Sequence, residues 1–295
     1  MDHAPLGDRG TDQEGDEMSK VWFITGAARG MGNAIVNAVL QHGDCVVATS
    51  RKGDDIRIRD EYKGNALCLK LDISDGNEEI YAEAVDKAVA RFGRIDVLVN
   101  NAGYGAVTFF EETKEETIKK LYETNVFGTM RVTRAVLPVM RKQRSGHIFN
   151  ISSTASYAPG PVIYHSSKFA VTGFSVALAF EVEPFGIKVT NVAPGMFRTN
   201  FYDAGKWGTE ADLHIEDYDS CRWQPGLVAD CQKHLQPGDP MKLAEVIIKA
   251  AESENPPLHL GVGEDAPDVM YGFAEKIKAD TDAWRKVASD TSFEK

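Results

Sequence analysis

Apolar residues in this chain collect into short runs, and between those runs they return at helical spacing. Val21–Thr25 is the first run. Ala34–Gln41 then carries Ile35, Val36, Val39 and Leu40 along one side of a helix that Gly43 stops. Cys45–Thr49 and Ala66–Ile73 read as the second and third strands. Asn77–Phe92 is an amphipathic helix closed by Gly93, and Ile95–Asn100 is a fourth strand. Lys114–Arg141 reads as one long helical stretch containing Gly128 and Pro138. His147–Ser152 is a fifth strand, Tyr164–Glu183 a helix ended by Pro184 and Gly186, Lys188–Ala193 a sixth strand and Leu258–Val262 a short last one. Strands alternating with helices predict an α/β fold: a Rossmann-type doubly wound parallel sheet of about seven strands, helices on both faces, in a single domain over residues 18–295. Such a sheet binds its ligands at the carboxyl ends of the strands.

Two local patterns fall on that edge. Thr25-Gly26-Ala27-Ala28-Arg29-Gly30-Met31-Gly32 follows the first strand and opens a helix. Glycines there let the backbone approach a pyrophosphate, and the helix N-terminus offers free N–H groups and positive potential. Farther on, Tyr164 and Lys168 stand four residues apart and share one helix face. A cation beside a phenol favours the phenolate. A phenol acid/base beside a nicotinamide can serve hydride transfer at a carbon–oxygen bond. The tip of the second strand, Thr49-Ser50-Arg51-Lys52, has no acid to hold the two ribose hydroxyls of NAD, while Arg29 and Arg51 are cations suited to a 2′-phosphate, so the expected cofactor is NADP. Asp72, ending the third strand, is a candidate acceptor for the adenine amine or else a helix cap. Asn125 is a polar amide in an apolar helix and needs buried partners. His147, His165 and Asp96 are read as structural or exposed groups.

Charge and cysteine content narrow the function classes. The 295 residues carry a formal net charge of −11, which argues against a nucleic-acid partner. Four cysteines (Cys45, Cys68, Cys221, Cys231) show neither metal-ligand spacing nor disulfide density; Cys45 and Cys68 are expected as buried thiols. No apolar run has membrane-spanning length, and a soluble, cytoplasmic protein is expected. Residues 1–17 are acidic and poor in large apolar groups, the composition of a disordered leader.

The ordered set of motifs resembles the short-chain dehydrogenase/reductase family over roughly residues 18–290. The carrying residues are Thr25-Gly26-x3-Gly30-x-Gly32, Asn100-Asn101-Ala102-Gly103, Asn125 in Thr-Asn-Val-Phe-Gly, Ser152-Ser153, Tyr164-x3-Lys168, and Pro194-Gly195 followed by Thr199. The resemblance implies a catalytic set of Asn125, Ser153, Tyr164 and Lys168, with Ser152 the alternative hydroxyl because the loop to Tyr164 is about two residues short. It implies a cofactor site from Gly26, Arg29, Gly30, Met31, Gly32, Ser50, Arg51, Asp72, Ile73, Asn101, Ala102, Gly103, Pro194, Gly195 and Thr199, together with Tyr164 and Lys168. By the same analogy Asn125 steadies a water linking Lys168 to solvent, Thr199 binds the nicotinamide carboxamide, and helices 114–141 and 164–183 pack against a neighbouring subunit in a homodimer or homotetramer.

Residues 196–238 are irregular and carry Phe197, Phe201, Tyr202, Trp207, Leu213, Trp223 and Leu227, the composition of a substrate lid. Tyr104, Val107, Tyr157, Pro159 and Pro161 are expected on the opposite wall, with Lys206 and Arg222 as candidate anionic-group anchors. An aromatic, apolar lining suits a hydrophobic ketone or aldehyde, or the matching secondary alcohol. The expected activity is an NADP-dependent alcohol dehydrogenase or carbonyl reductase. A non-catalytic NADP(H)-sensing module and an epimerase or dehydratase relative are the alternatives.

Overall fold

The structure, a computed structural model, describes residues 19–202, 213–221 and 233–293. The expected leader, and Lys206, Trp207, Arg222, Trp223, Leu227 and Cys231, lie outside the described residues.

Seven parallel strands form one sheet: β1 (Val21–Thr25), β2 (Cys45–Ser50), β3 (Ala66–Lys70), β4 (Val97–Asn100), β5 (Gly146–Ile151), β6 (Ile187–Pro194) and β7 (His259–Val262), in the spatial order β3-β2-β1-β4-β5-β6-β7. Around it lie α1 (Gly30–His42), α2 (Glu79–Phe92), α3 (Glu115–Tyr122), α4 (Thr129–Gln143), α5 (Val162–Val182), α6 (Pro240–Glu252) and α7 (Ala266–Ser289). Every residue of β1 is buried, because the strand is covered on both faces. Its alternation splits the core in two. Trp22 and Ile24 join Ile35, Val39, Leu243 and Ile247 of α1 and α6. Val21 and Phe23 join Val132, Val136, Met140 and Leu178 of α4 and α5 on the other face. The strand order reverses between β1 and β4, so the crevice opens at the carboxyl tips of those two strands.

Three expectations need correction. The 114–141 stretch is not one regular helix: a π-helical turn at Glu123–Gly128 separates α3 from α4. There the backbone comes so close to the Ile73 carbonyl that a Cβ at Gly128 would sit 2.5 Å from its oxygen. The third strand ends at Lys70 rather than Ile73, because Asp72 accepts hydrogen bonds from the Ser74 amide (3.0 Å) and hydroxyl (2.7 Å) and turns the chain. Cys68 is exposed, not buried, since β3 is an edge strand, and Cys45 is only half-buried.

His147 lies inside β5, buried, with Nε2 2.9 Å from the Thr190 hydroxyl. Burial, helped by the charge of Lys188, pushes its pKa down to about 3. A depressed histidine adds stability above its unfolded pKa near 6.5, and that stability drains away as pH falls toward 3, because only the unfolded chain takes up the proton. Thermal or urea unfolding should therefore show about 2 kcal/mol less stability at pH 5 than at pH 7 from this group. His147→Gln should remove most of that difference. An unchanged pH slope in the variant would mean that other groups set the acid sensitivity.

Candidate active site

The candidate catalytic side chains meet where β4, β5 and α5 converge. One helical turn places Tyr164 and Lys168 on the same side of α5, with Lys168 Nζ 5.8 Å from the centroid of the tyrosine ring. Lys168 is buried, and its Nζ donates to the Ile151 carbonyl at 2.9 Å. Ser153, in the turn leaving β5, accepts from the Ala155 amide at 3.1 Å and stands close enough to the Tyr164 hydroxyl to lower its pKa. Ser152 points elsewhere: its Oγ lies 2.5 Å from Ser156 Oγ and 2.9 Å from Thr172 Oγ1, and it donates to the Lys168 carbonyl at 3.2 Å. The geometry thus brings Ser153, not Ser152, to the phenol.

Burial pushes Tyr164 up to about 12, against a smaller lowering by the Ser153 hydrogen bond. Burial also brings Lys168 down to about 8. Burial is the first cause of both shifts, and the Lys168 ammonium points at the Ile151 carbonyl rather than at the phenol oxygen. At neutral pH the pair is a protonated phenol beside a charged amine.

Asn125 sits in the π-helical turn with both amide hydrogens and its carbonyl oxygen engaged. Its Oδ1 accepts from the Tyr104 amide at 3.0 Å, and its Nδ2 donates to the Tyr104 carbonyl at 2.9 Å and to Ser167 Oγ at 3.2 Å. Its side chain clamps the loop after β4 to α5. Gly103 fills the gap between them: a Cβ there would lie 3.1 Å from Asn125 Oδ1 and 3.6 Å from Lys168 Nζ.

The glycine turn has the shape a dinucleotide needs. Gly26 and Gly30 have φ of +67° and +57°, which side-chain-bearing residues rarely adopt. The α1 N-terminus has no side-chain cap and no acid in its first turn, which leaves its N–H groups for an anion. Asn101 Nδ2 donates to the carbonyls of Thr25 (3.0 Å) and Gly26 (3.2 Å), while the Asn101 and Ala102 amides donate to Thr25 Oγ1. Thr199 comes beside Gly30, with its Cβ 3.5 Å from where a Cβ on that glycine would stand. Met31 is half-buried in the first turn of α1, and Arg29 and Arg51 are exposed. Pro194 ends β6, and the Gly195 amide donates to the Val262 carbonyl at 2.9 Å. Ile73 is buried and its carbonyl accepts from Tyr81 Oη at 3.0 Å. Gly32→Ala would place a methyl 2.3 Å from the Gly26 carbonyl oxygen. That variant should lose the thermal upshift produced by added nicotinamide dinucleotide, and a retained upshift would show that the turn tolerates widening.

Some groups were missed in sequence, and some stand elsewhere than expected. Ser50, expected at the adenosine ribose, donates its hydroxyl to Asp55 and accepts from the Gly53 amide. The chain folds an acid back onto a strand tip that carries none in sequence; the Asp54-Asp55 pair was the available signal. Phe201 packs on Tyr164 with ring centroids 5.7 Å apart, the described part of the expected lid that reaches the phenol. Tyr157, expected on the substrate wall, turns toward β7: its hydroxyl meets His259 Nδ1 at 2.9 Å and accepts from Asn191 Nδ2 at 3.1 Å. His165, read as a structural or exposed group, meets Tyr164 edge-on at 6.0 Å, with Nδ1 2.8 Å from the Ala158 carbonyl.

Residues 20–206 match the family model described as short chain dehydrogenase. The chain belongs to that family. Dehydrogenase relatives match most of its length. It is 37% identical over 278 residues to an oxidoreductase of Botryotinia fuckeliana, BOA17, covering 92% of this chain and 98% of that one. It is 38% identical over 260 residues to a 3-ketodihydrosphingosine reductase of Bacteroides thetaiotaomicron, covering 87% and 91%. A solved short-chain dehydrogenase from Streptomyces avermitilis superimposes with a TM-score of 0.82 at 39% identity, covering 94% of this chain and all of that one. ElxO with NADP bound gives 0.68 at 29% identity, over 85% and 100% of the two chains. A 3-ketoacyl-(acyl-carrier-protein) reductase from Brucella melitensis complexed with NADH gives 0.66 at 26%, over 82% and 96%. The protein is thus an oxidoreductase of the short-chain dehydrogenase family.

Proposed function

We propose that this dehydrogenase reduces a hydrophobic ketone or aldehyde with NADPH, and runs the reverse oxidation of the matching secondary alcohol. The observation that carries the proposal is the cluster of half-buried Ser153 and Tyr164 with buried Lys168, beside the glycine turn. A nicotinamide dinucleotide held at the glycine turn would supply the hydride for the carbonyl carbon. Tyr164, protonated at neutral pH, gives its proton to the carbonyl oxygen as negative charge develops there. Ser153 hydrogen-bonds the same oxygen and steadies it. Lys168, still mostly charged at pH 7, stabilises the phenolate that Tyr164 becomes. Asn125 holds the Tyr104 loop and Ser167 so that Lys168 keeps its place. A protonated resting phenol favours the reductive direction. A relative whose name makes it a reductase of a 3-keto compound is in keeping with this direction, and Phe201 against Tyr164 supplies an apolar wall.

Arg29 and Arg51, exposed at the turn and at the β2 tip, support the 2′-phosphate of NADP, while Asp55 on Ser50 opposes it. NADPH should be used in preference to NADH in assays across a carbonyl panel. Asp55→Asn should widen that preference severalfold, read as the ratio of the two kcat/KM values. A wide preference for NADH would refute the cation argument. The exposed residues of α5 from Phe169 to Phe180, none of them charged, also support assembly of two or four copies. A non-catalytic nucleotide sensor is disfavoured, since sensing requires no phenol held between a hydroxyl and an amine.

A further inference from the structure

Among the described residues, the last helix, α7, is docked only at its root. Ala266 is buried, and Met270 sits over Gly261, where a Cβ would lie 2.7 Å from its sulfur. Phe273 meets Tyr157 edge-on at 5.8 Å and Phe169 of α5 at 5.4 Å. Beyond Phe273 every helical residue through Ser289 is exposed. Sixteen residues at 1.5 Å each make an arm about 24 Å long. Its apolar side chains continue the rhythm of the root: Met270, Phe273, Ile277, Trp284 and Val287 recur at intervals of three, four and seven. Ile277, Trp284 and Val287 are 52, 66 and 67% exposed. A stripe of this kind on a helix without packing is a surface awaiting cover, because isolated helices of this length are marginal in water.

We infer that the outer part of α7 is an assembly arm that lies on a second copy of this chain, each subunit embracing the other. This rests on the two-copy assembly proposed above. The Phe273–Phe169 contact joins the stripe to α5, whose exposed residues from Phe169 to Phe180 are Phe169, Gly173, Val176, Ala177 and Phe180, none of them charged. The apolar surface is therefore continuous across the two helices, and a twofold axis would let each copy bury the other's share. Charge points to the same occupant. Over 274–290 the acids Glu275, Asp280, Asp282 and Asp290 balance Lys276, Lys278, Arg285 and Lys286, on a protein whose net charge is −11. This is a neutral surface on which two acidic molecules can meet without repulsion, and it lacks the basic excess that an anionic membrane would select. The exposed rings of Phe169, Phe180, Tyr271 and Trp284 alone offer roughly 500 Å², a large part of the ~800 Å² each partner of a stable interface covers.

Sedimentation velocity of the full-length protein between 0.5 and 50 μM tests the inference, with Ile277→Glu/Trp284→Glu as the arm variant and Phe180→Glu as the α5 variant. The arm residues lie outside the core, so the variant should keep its nucleotide-induced thermal upshift. The wild type should sediment as a dimer or larger, and the arm variant should dissociate at concentrations at least about 30-fold higher, the loss expected for interface hot spots. An assembled wild type that Phe180→Glu weakens and the arm variant leaves intact would overturn the arm while sparing the α5 interface. A monomeric wild type at 50 μM would overturn both. Co-sedimentation of a monomeric wild type with phosphatidylcholine vesicles, lost in the arm variant, would replace the second copy with a lipid surface.

Discussion

Tyr164→Phe should lower turnover in both directions by roughly 10²–10⁴-fold, the range for a positioned general acid or base. The change removes one oxygen and leaves the ring against Phe201. The cofactor site should survive, because the turn that forms it is tied to Thr25 by Asn101 and Ala102 through bonds that do not involve that hydroxyl. Nucleotide affinity, measured by fluorescence or calorimetry, should move by less than about threefold, a shift under 1 kcal/mol. Ser153→Ala should be milder, since it removes one donor to the reacting oxygen while the proton donor stays. Ser152→Ala should leave the chemistry largely intact and act on stability, because Ser152 Oγ bonds only to Ser156, Thr172 and the Lys168 carbonyl. If Ser152→Ala proved as damaging to turnover as Ser153→Ala in a stable protein, the assignment of the hydroxyl would be wrong.

Lys168→Met is the second large effect, and pH makes it specific. Lys168 at about 8 and Tyr164 at about 12 bracket a window in which the phenol is protonated. The developing phenolate needs the ammonium beside it, and that ammonium disappears as pH rises through 8. The kcat/KM for carbonyl reduction should be level from about pH 6 to 7.5 and then fall tenfold per pH unit. Lys168→Met should be lower by roughly 10²-fold at pH 7 and should lose the alkaline limb. Lys168→Arg, which stays charged, should recover part of the rate and also lack the limb. A Met variant that still turns down near pH 8 would show that another group titrates there. A wild-type reduction that declines already below pH 7 would mean the phenolate forms at neutral pH, against the burial that raises Tyr164 here.

Much of the architecture was legible because it follows from short-range rules. Fully buried runs such as Val21–Thr25 mark strands covered on both faces, and the glycine stops at Gly43 and Gly93 take the left-handed conformation their positions imply. Tyr164 and Lys168 share a face because helical spacing puts them there. The errors arose where long-range contacts overruled local pattern. Nothing near Gly128 in sequence announces the Ile73 carbonyl that shapes its turn, and nothing in the apolar run around Cys68 tells that its strand is at the sheet edge. Tyr157 was drawn from the substrate wall by His259 and Asn191, each more than thirty residues away.

Residue order alone determined the alternation of strand and helix, the parallel sheet, the glycine turn and the identities of the phenol and amine, because periodicity and backbone stereochemistry act over a few residues. Tertiary structure decided which serine meets Tyr164, that Asp55 folds onto Ser50, and that the phenol rests protonated. Those outcomes depend on burial and on partners brought from distant segments, and the free energy of a charge is set by the solvent it loses rather than by its neighbours in the chain.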